Sequence, residues 1–284
     1  MKLSIITINY NNLSGLRKTV ESVFAQTCRD FEYIIIDGAS TDGSKEYLDS
    51  IKVNNVADKA NTDNKLQITN YKLQIISEPD TGIYNAMNKG IRVSHGDYLL
   101  MLNSGDYLVG SDVVVRILPE LDGTDIIQGN TICIRNGKTF VNRGYGKSDI
   151  NYIDVQKGYF LHQASFCRRT LFEQYGYFDE SYLIDGDTVF YIRCLGKGNA
   201  TFRYVDIVIA YFEGGGVSDK QNAQWQKQRA LEFKRWSTEE FSTRQWNTCI
   251  EYDKKGQLYD KLHRHKWAWN TAMLMSKIID RLER

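Results

Sequence analysis

Hydrophobic and polar positions along the first hundred residues switch between a strand-like and a helix-like rhythm. Residues 2–9 (KLSIITIN) and 31–37 (FEYIIID) are short β-branched runs with few polar interruptions, the pattern of parallel strands covered on both faces. Between them Leu13, Leu16, Val20, Val23 and Phe24 recur at helical spacing behind Asn12, whose short polar side chain suits an N-cap. A second helix is expected over residues 43–51, a third strand near 73–77 and a third helix over 84–93. DYLLMLNSGDYL then reads as a central strand that runs into a polar loop. Residues 53–66, rich in Asn, Asp and Lys, bury little and are expected to form a surface insertion. Over residues 108–160 the runs shorten into strands and turns, with Asn136-Gly137 as a hairpin signal. A helix over residues 169–176 precedes FDESYLIDGDTVFYIRCLGKG, a loop that feeds a helix with acids at its start, where the helix dipole favours them. After Gly214-Gly215-Gly216 the chain reads as helical and basic. The pattern predicts an α/β domain over residues 1–218 and a helical extension over 219–284.

Composition narrows the function. With 36 Lys and Arg against 35 Asp and Glu the chain has almost no net field, which argues against a nucleic-acid partner. The opening MKLSIITINYNN turns polar too soon for a signal peptide or a membrane span, so a cytoplasmic location is expected. Cys28, Cys133, Cys167, Cys194 and Cys249 are odd in number, scattered and never spaced C-x-x-C. Reduced, mostly buried thiols are expected, and neither a disulfide framework nor a zinc site.

In a βα sheet the ligand lies beyond the carboxyl ends of the strands. Four such places carry polar groups: Asn9-Tyr10-Asn11, the run Asp37 to Gly43, the run Ser77 to Gly82, and Asn103-Ser104-Gly105-Asp106. Carboxylates at the last three would converge on one crevice, where like charges repel unless a cation or hydrogen-bond donors sit among them. A metal-bound diphosphate rationalises that arrangement. No G-x-G-x-x-G follows the first strand, and no P-loop motif occurs.

The segments SIITINYNN, FEYIIIDGASTDGS, SEPDTGIYNAMNKG, GDYLLMLNSGDYL, HQASF and FDESYLIDGD, in this order from about residue 3 to 218, resemble the family 2 glycosyltransferases of bacterial polysaccharide assembly. The resemblance implies the GT-A fold, a mainly parallel sheet flanked by helices. It also implies transfer of one sugar, with inversion, from a nucleoside-diphosphate donor, uridine-linked at the family level, to a glycan or lipid-linked acceptor hydroxyl. By the same resemblance Tyr10 lies against the base, Asp37 hydrogen-bonds it, and Asp80 and Asp106 face the diphosphate and a divalent metal, Mg2+ or Mn2+. Asp187 is the implied catalytic base; its neighbour Asp185 could take that role if the loop is shifted, or raise the pKa of Asp187 by like-charge repulsion, and His162, Gln163 and Asp185 are candidates to approach the sugar or acceptor. Asp42 is expected to cap the following helix, and Lys89 to reach a phosphate or to sit on a solvated helix face. One departure concerns the metal: the family's D-x-D is here Asn103-Ser104-Gly105-Asp106, with a single carboxylate, which magnesium tolerates when phosphate and water complete its shell.

Processive members carry Q-x-x-R-W after the base. The nearest match here, Glu232 to Trp236 (EFKRW), lacks the Gln, which favours single-sugar transfer. Residues 261–284 hold six Lys and Arg against two acids, with Leu274, Ile278 and Leu282 on one helical face. Such a helix suits either protein packing or peripheral contact with an anionic membrane. Two rival readings are a catalytically silent sugar-nucleotide-binding protein and a metal-dependent nucleotidyltransferase or pyrophosphatase.

Overall fold

A computed structural model describes residues 1–57, 72–135, 137–150, 154–155, 160–214 and 223–240. The chain divides into two compact units, Met1–Phe233 and Lys234–Arg284. Cys249 and the basic segment 261–284 lie outside the described residues, as does the part of the expected insertion from residue 58 to 66.

The first unit is built on one sheet. β1 (Leu3–Asn9), β2 (Glu32–Asp37), β3 (Lys72–Ser77) and β4 (Tyr98–Met101) run parallel in the order β3-β2-β1-β4. Every residue of β1, β2 and β4 is buried, as continuous apolar runs demand when helices cover both faces. Alternate side chains serve the two faces. Leu3, Ile5, Tyr33 and Ile35 share a core with Leu16, Val20 and Val23 of α1 (Leu13–Phe24). The other face receives α3 (Ile83–Val93), which comes so close that a Cβ on Gly90 would lie 2.4 Å from Ile6 Cγ2. Each buried aliphatic side chain contributes about 1.5–3 kcal/mol.

Beyond β4 the sheet becomes mixed, with β5 (Asp106–Leu108), β6 (Ile126–Arg135), β8 (Ser165–Arg168) and β9 (Phe202–Phe212) in the order β4-β8-β6-β9-β5. β8 runs antiparallel to β4 and β6, while β6 and β9 are parallel. β7 (Lys138–Asn142) pairs with β6, and the register Arg135 to Lys138 closes the hairpin expected at Asn136-Gly137. α2 (Ser44–Ala57) runs six residues past the expected end at Ile51, because nothing in KVNNVA stops a helix. The short helices are α4 (Val113–Ile117), α5 (Thr170–Tyr175) and α6 (Gly186–Tyr191), and α7 (Ala223–Glu239) closes the described chain. Cys28, Cys133, Cys167 and Cys194 are free thiols. No helix among the described residues is long and apolar enough to cross a membrane.

Candidate active site

The sheet reverses its order of winding at β1, between β2 and β4, which is where an α/β fold opens a ligand crevice. Asn9 ends β1, Asp37 ends β2, Ser77 ends β3 and Asn103 follows β4, so all four loops emerge at one edge.

The loops after β1, β2 and β3 are tied together by Asp37. Its carboxylate is fully buried and accepts from Asn9 Nδ2 (2.9 Å), the Ser40 hydroxyl (2.6 Å), the Ser40 N–H (3.1 Å) and the Ser77 hydroxyl (2.8 Å). Burial by itself would raise its pKa, but these donors outweigh it and hold the group below its ordinary value. All of its acceptor capacity is spent inside the protein. The Ser40 hydroxyl also accepts from the Asn11 N–H, and Asn11 Oδ1 accepts from the Thr41 N–H. Both loops include a non-glycine residue at positive φ, Asn11 at 48° and Ala39 at 59°, a conformation that costs about 1 kcal/mol or more for Ala.

On the outer side of this knot lie Tyr10, Gly38 and Asp80. The Tyr10 side chain is 66% exposed, which for an aromatic ring at a sheet edge leaves a face open to stack. A Cβ on Gly38 would sit 2.3 Å from Asp80 Oδ2 and 3.1 Å from Tyr10 Cδ2, so glycine is needed for the carboxylate and the ring to approach. Asp80 is fixed by accepting the Gly82 N–H through its other oxygen. Asp42 accepts from the Ser44 N–H at the start of α2 and from the Leu13 N–H at the start of α1, the capping role expected of it. Lys89 is held at Glu78 Oε1 (2.8 Å) and the Pro79 carbonyl (2.7 Å), on the loop that presents Asp80.

The second cluster follows β4. Asn12 donates to the Ser104 carbonyl, and Thr19 of α1 donates to the Asp106 carbonyl and accepts from the Gly105 N–H, so the start of α1 shapes the 103–106 turn. Gly105 supplies the φ of +107° that the turn requires. Asp106, opening β5, points at His162 of the helical turn His162–Ala164, with Oδ2 3.8 Å from Nε2. The other ring nitrogen of His162 is 3.4 Å from Asp187 Oδ2. Asn103 Nδ2 lies 3.3 Å from His162 Nε2. Thus His162 stands between Asp106 and Asp187.

These groups perturb one another. Burial pushes Asp106 up to about 7, with His162 pulling it down and Glu213 pushing it further up. Burial opposes charge on His162, yet its hydrogen bond with Asp187 and the two carboxylates raise it above its ordinary value. Asp187 is also buried, which alone would raise it, but His162, the Thr188 N–H and the Tyr84 hydroxyl leave it below the usual carboxylate range. It is therefore ionised at neutral pH. Asp185 precedes α6 as its N-cap residue, two positions from Asp187 and outside this triad of contacts. Gln163 is buried on the His162 turn.

Whether a cation fits can be judged from the oxygens present. Asn103 Oδ1 is buried and without a hydrogen-bond partner among the described residues, and the other end of its amide approaches the same His162 nitrogen as Asp106 does. No three His, Cys, Asp or Glu side chains among those residues form a metal cage. One carboxylate and one orphaned amide oxygen fit an ion that takes the rest of its shell from phosphate and water.

Tyr84, Asn85, Asn88 and Glu180 were not singled out by the sequence, yet they hold the Asp187 loop. Tyr84 donates to the Ile184 carbonyl (2.5 Å) and lies 3.1 Å from Asp187 Oδ1. Gly186 makes room for that ring: a Cβ there would come 2.7 Å from it. Asn88 brackets the backbone of Phe178, donating to its carbonyl and accepting its N–H, and Asn85 and Asn88 both donate to Glu180. The signal available was their position within SEPDTGIYNAMNKG and FDESYLIDGD, two of the segments that carried the resemblance.

Residues 4–176 match the family described as Glycosyl transferase family 2. A PGL/p-HBAD biosynthesis glycosyltransferase of Mycobacterium bovis is 31% identical over 220 residues, spanning 76% of this chain and 78% of its own. The glycosyltransferase YwdF of Bacillus subtilis, described as uncharacterized, is 23% identical over 200 residues and 68% of each chain. Among solved structures, S. aureus TarS 1–349 in complex with UDP-GlcNAc superposes with a TM-score of 0.61 at 16% identity, covering 80% of this chain and 61% of its own. The mannosyltransferase PcManGT from Pyrobaculum calidifontis, in complex with GDP-Man and Mn2+, gives 0.59 at 16%, covering 84% and 63%. The chain spans about six tenths of the length of these two structures, and the likeness establishes the GT-A fold expected from the sequence.

Proposed function

Because the chain belongs to glycosyl transferase family 2, we propose that it moves one sugar from a nucleoside-diphosphate donor, uridine-linked in our reading, to the hydroxyl of a glycan or lipid-linked acceptor, with inversion. The observation that carries this reading is the carboxylate of Asp187, ionised, oriented by Tyr84 and His162, and facing Asp106 across a single imidazole.

In the proposed reaction Asp187 accepts the acceptor hydroxyl's proton as the oxygen attacks the anomeric carbon. The bond from that carbon to the diphosphate breaks, and the diphosphate departs with the electron pair. One displacement without a covalent intermediate gives inversion. Asp106 and Asn103 are the residues that would hold a divalent ion, Mg2+ or Mn2+, whose service when bound is to neutralise charge on the diphosphate. His162 keeps the Asp187 carboxylate oriented and supplies positive charge between the two aspartates. Tyr10 offers its exposed ring to the base, and Asp80 faces the nucleotide beside Gly38. Asp37, with its acceptors already filled, serves the nucleotide by holding the loops that carry Tyr10 and Gly38, and direct hydrogen bonding to the base is not part of this reading. Asp185 and Gln163 line the acceptor side without a chemical role. The composition of residues 261–284 supports peripheral contact with an anionic membrane, which would suit a lipid-linked acceptor.

The test is release of nucleoside diphosphate from a panel of donors with magnesium or manganese and mixed acceptors. Release that depends on both donor and acceptor, and that Asp187→Asn abolishes, supports the transferase. Donor binding without release under any acceptor points to the silent binder, and pyrophosphate release points to the nucleotidyltransferase.

A further inference from the structure

The loop that delivers Asp187 is gripped from a second side. Glu232 lies on α7, between 45 and 49 residues beyond the segment 183–187 in sequence, and is only 3% exposed. Its carboxylate accepts three consecutive backbone N–H groups: Leu183 on Oε1 (2.8 Å), and Ile184 (2.9 Å) and Asp185 (3.0 Å) on Oε2. Gln228, one turn earlier on α7, donates to Oε1 at 2.7 Å and fixes the carboxylate's orientation. Successive N–H groups converging on one point make a concave anion site, and here the protein fills it with its own carboxylate.

The consequence is positional. Leu183, Ile184 and Asp185 immediately precede Gly186, the first residue of α6, and the Ile184 carbonyl receives the Tyr84 hydroxyl. With the N–H of Ile184 held by Glu232 and its carbonyl by Tyr84, this peptide segment is clamped on both sides. Asp187, three residues on, then has its place relative to His162 fixed by α7 and α3 together. Hydrogen bonds to a carboxylate are stronger than those between neutral groups, so three of them, buried, specify a loop position strongly.

We propose that Glu232 is a positioning residue for the catalytic base: acting through the backbone of residues 183–185, it sets where the Asp187 carboxylate meets the acceptor hydroxyl. It touches neither donor nor reacting atoms. The proposal rests on the reading of Asp187 as the base.

The test uses the full chain and compares wild type with Glu232→Ala, Glu232→Gln, Tyr84→Phe and the Glu232→Ala/Tyr84→Phe double variant. Turnover is read with the best donor and acceptor of the panel, donor affinity by calorimetry, and thermal melting sets an assay temperature at which each variant is folded. Glu232→Ala is expected to lower kcat at least tenfold with the donor dissociation constant unchanged within twofold. Glu232→Gln keeps one oxygen for Ile184 and Asp185 but turns an amide N–H₂ toward Leu183 and Gln228, so its kcat should fall between the two. Because Glu232 and Tyr84 hold the same segment, the double variant should lose less than the product of the single losses. Wild-type kcat in folded Glu232→Ala would overturn the proposal, as would a loss of donor affinity that accounts for the whole effect. If Asp187→Asn itself retains turnover, the base assignment fails first, and that result is separate from any result at Glu232.

Discussion

At the residue scale the site depends on what each carboxylate is bonded to. Asp37 and Asp187 are both buried and both held below their ordinary pKa, yet Asp37 spends every acceptor position on Asn9, Ser40 and Ser77 while Asp187 faces a histidine, a tyrosine and one N–H. In the proposed reading that difference separates an organising acid from a reactive one. Asp187→Asn keeps the shape and removes the base, so turnover is expected to fall by roughly 10²–10⁴-fold with donor binding retained, measured by diphosphate release and calorimetry. Tyr84→Phe deletes the hydroxyl that bonds the Ile184 carbonyl and lies beside Asp187, and kcat should fall about tenfold, the worth of one hydrogen bond of about 1–1.5 kcal/mol. An unchanged kcat in folded Tyr84→Phe would show that the loop is held well enough without it.

At the scale of elements, two contacts govern stability. Glu32 opens β2 with its carboxylate 3% exposed and accepting from the Ser4 hydroxyl and the N–H groups of His95 and Gly96. Burial opposes its ionisation, but these bonds lower its pKa in the fold, as the corresponding donors do for Asp37. A folded pKa below the unfolded one means stability that is complete above about pH 4.3 and is lost as pH falls through the lower folded value. The Glu32 contribution should therefore appear as a decline of the denaturant midpoint below about pH 4, and Glu32→Gln should flatten part of that decline. An acid decline equally steep in Glu32→Gln would contradict this assignment. The other contact joins α3 to the segment before α6. Asn88→Ala leaves the N–H and carbonyl of Phe178 unpaired in a buried place, and the melting temperature should drop by roughly 4–12 °C, from about 2–4 kcal/mol. A drop of under a degree in calorimetric melting would show that water replaces the side chain.

These elements also mark how far the sequence could be read. β1, β2 and α1 were legible because burial on both faces of a strand and one face of a helix leaves a periodic trace, and Asn12 and Asn136-Gly137 are local signals for a cap and a hairpin. The mixed half of the sheet was not legible, since β6 finds its partners β8 and β9 by pairing at long sequence separation. The candidates Tyr10, Asp80, Asp106, His162 and Asp187 come from residue type and motif, and the structure brings His162 between Asp106 and Asp187. The contacts of their supports could not be read: Glu232 meets residues 47–49 positions away and Tyr84 meets Ile184 across 100, and neither pairing leaves a pattern in one chain.

For the whole molecule, the proposed reading divides the work between donor and reaction over two clusters at one sheet edge. Tyr10, Gly38 and Asp80 form a surface suited to a nucleotide, and Asn103, Asp106, His162 and Asp187 form one suited to the bond that breaks. A cation held by one carboxylate and one amide oxygen should bind weakly without donor. Chelation is expected to suppress turnover, magnesium or manganese to restore it, and Asp106→Asn to raise the metal concentration needed for half-maximal rate several-fold or more. Full turnover in excess chelator would remove the ion from the account.

The central claim is that Asp187 drives sugar transfer from a nucleoside-diphosphate donor. It is tested most directly by incubating wild type and Asp187→Asn with a panel of such donors, a divalent ion and mixed sugar and lipid-linked acceptors, and measuring released diphosphate alongside donor binding. The account predicts donor-specific, acceptor-dependent release by wild type, and binding without release by the variant. Equal release by both proteins, or no donor bound by either, would contradict it.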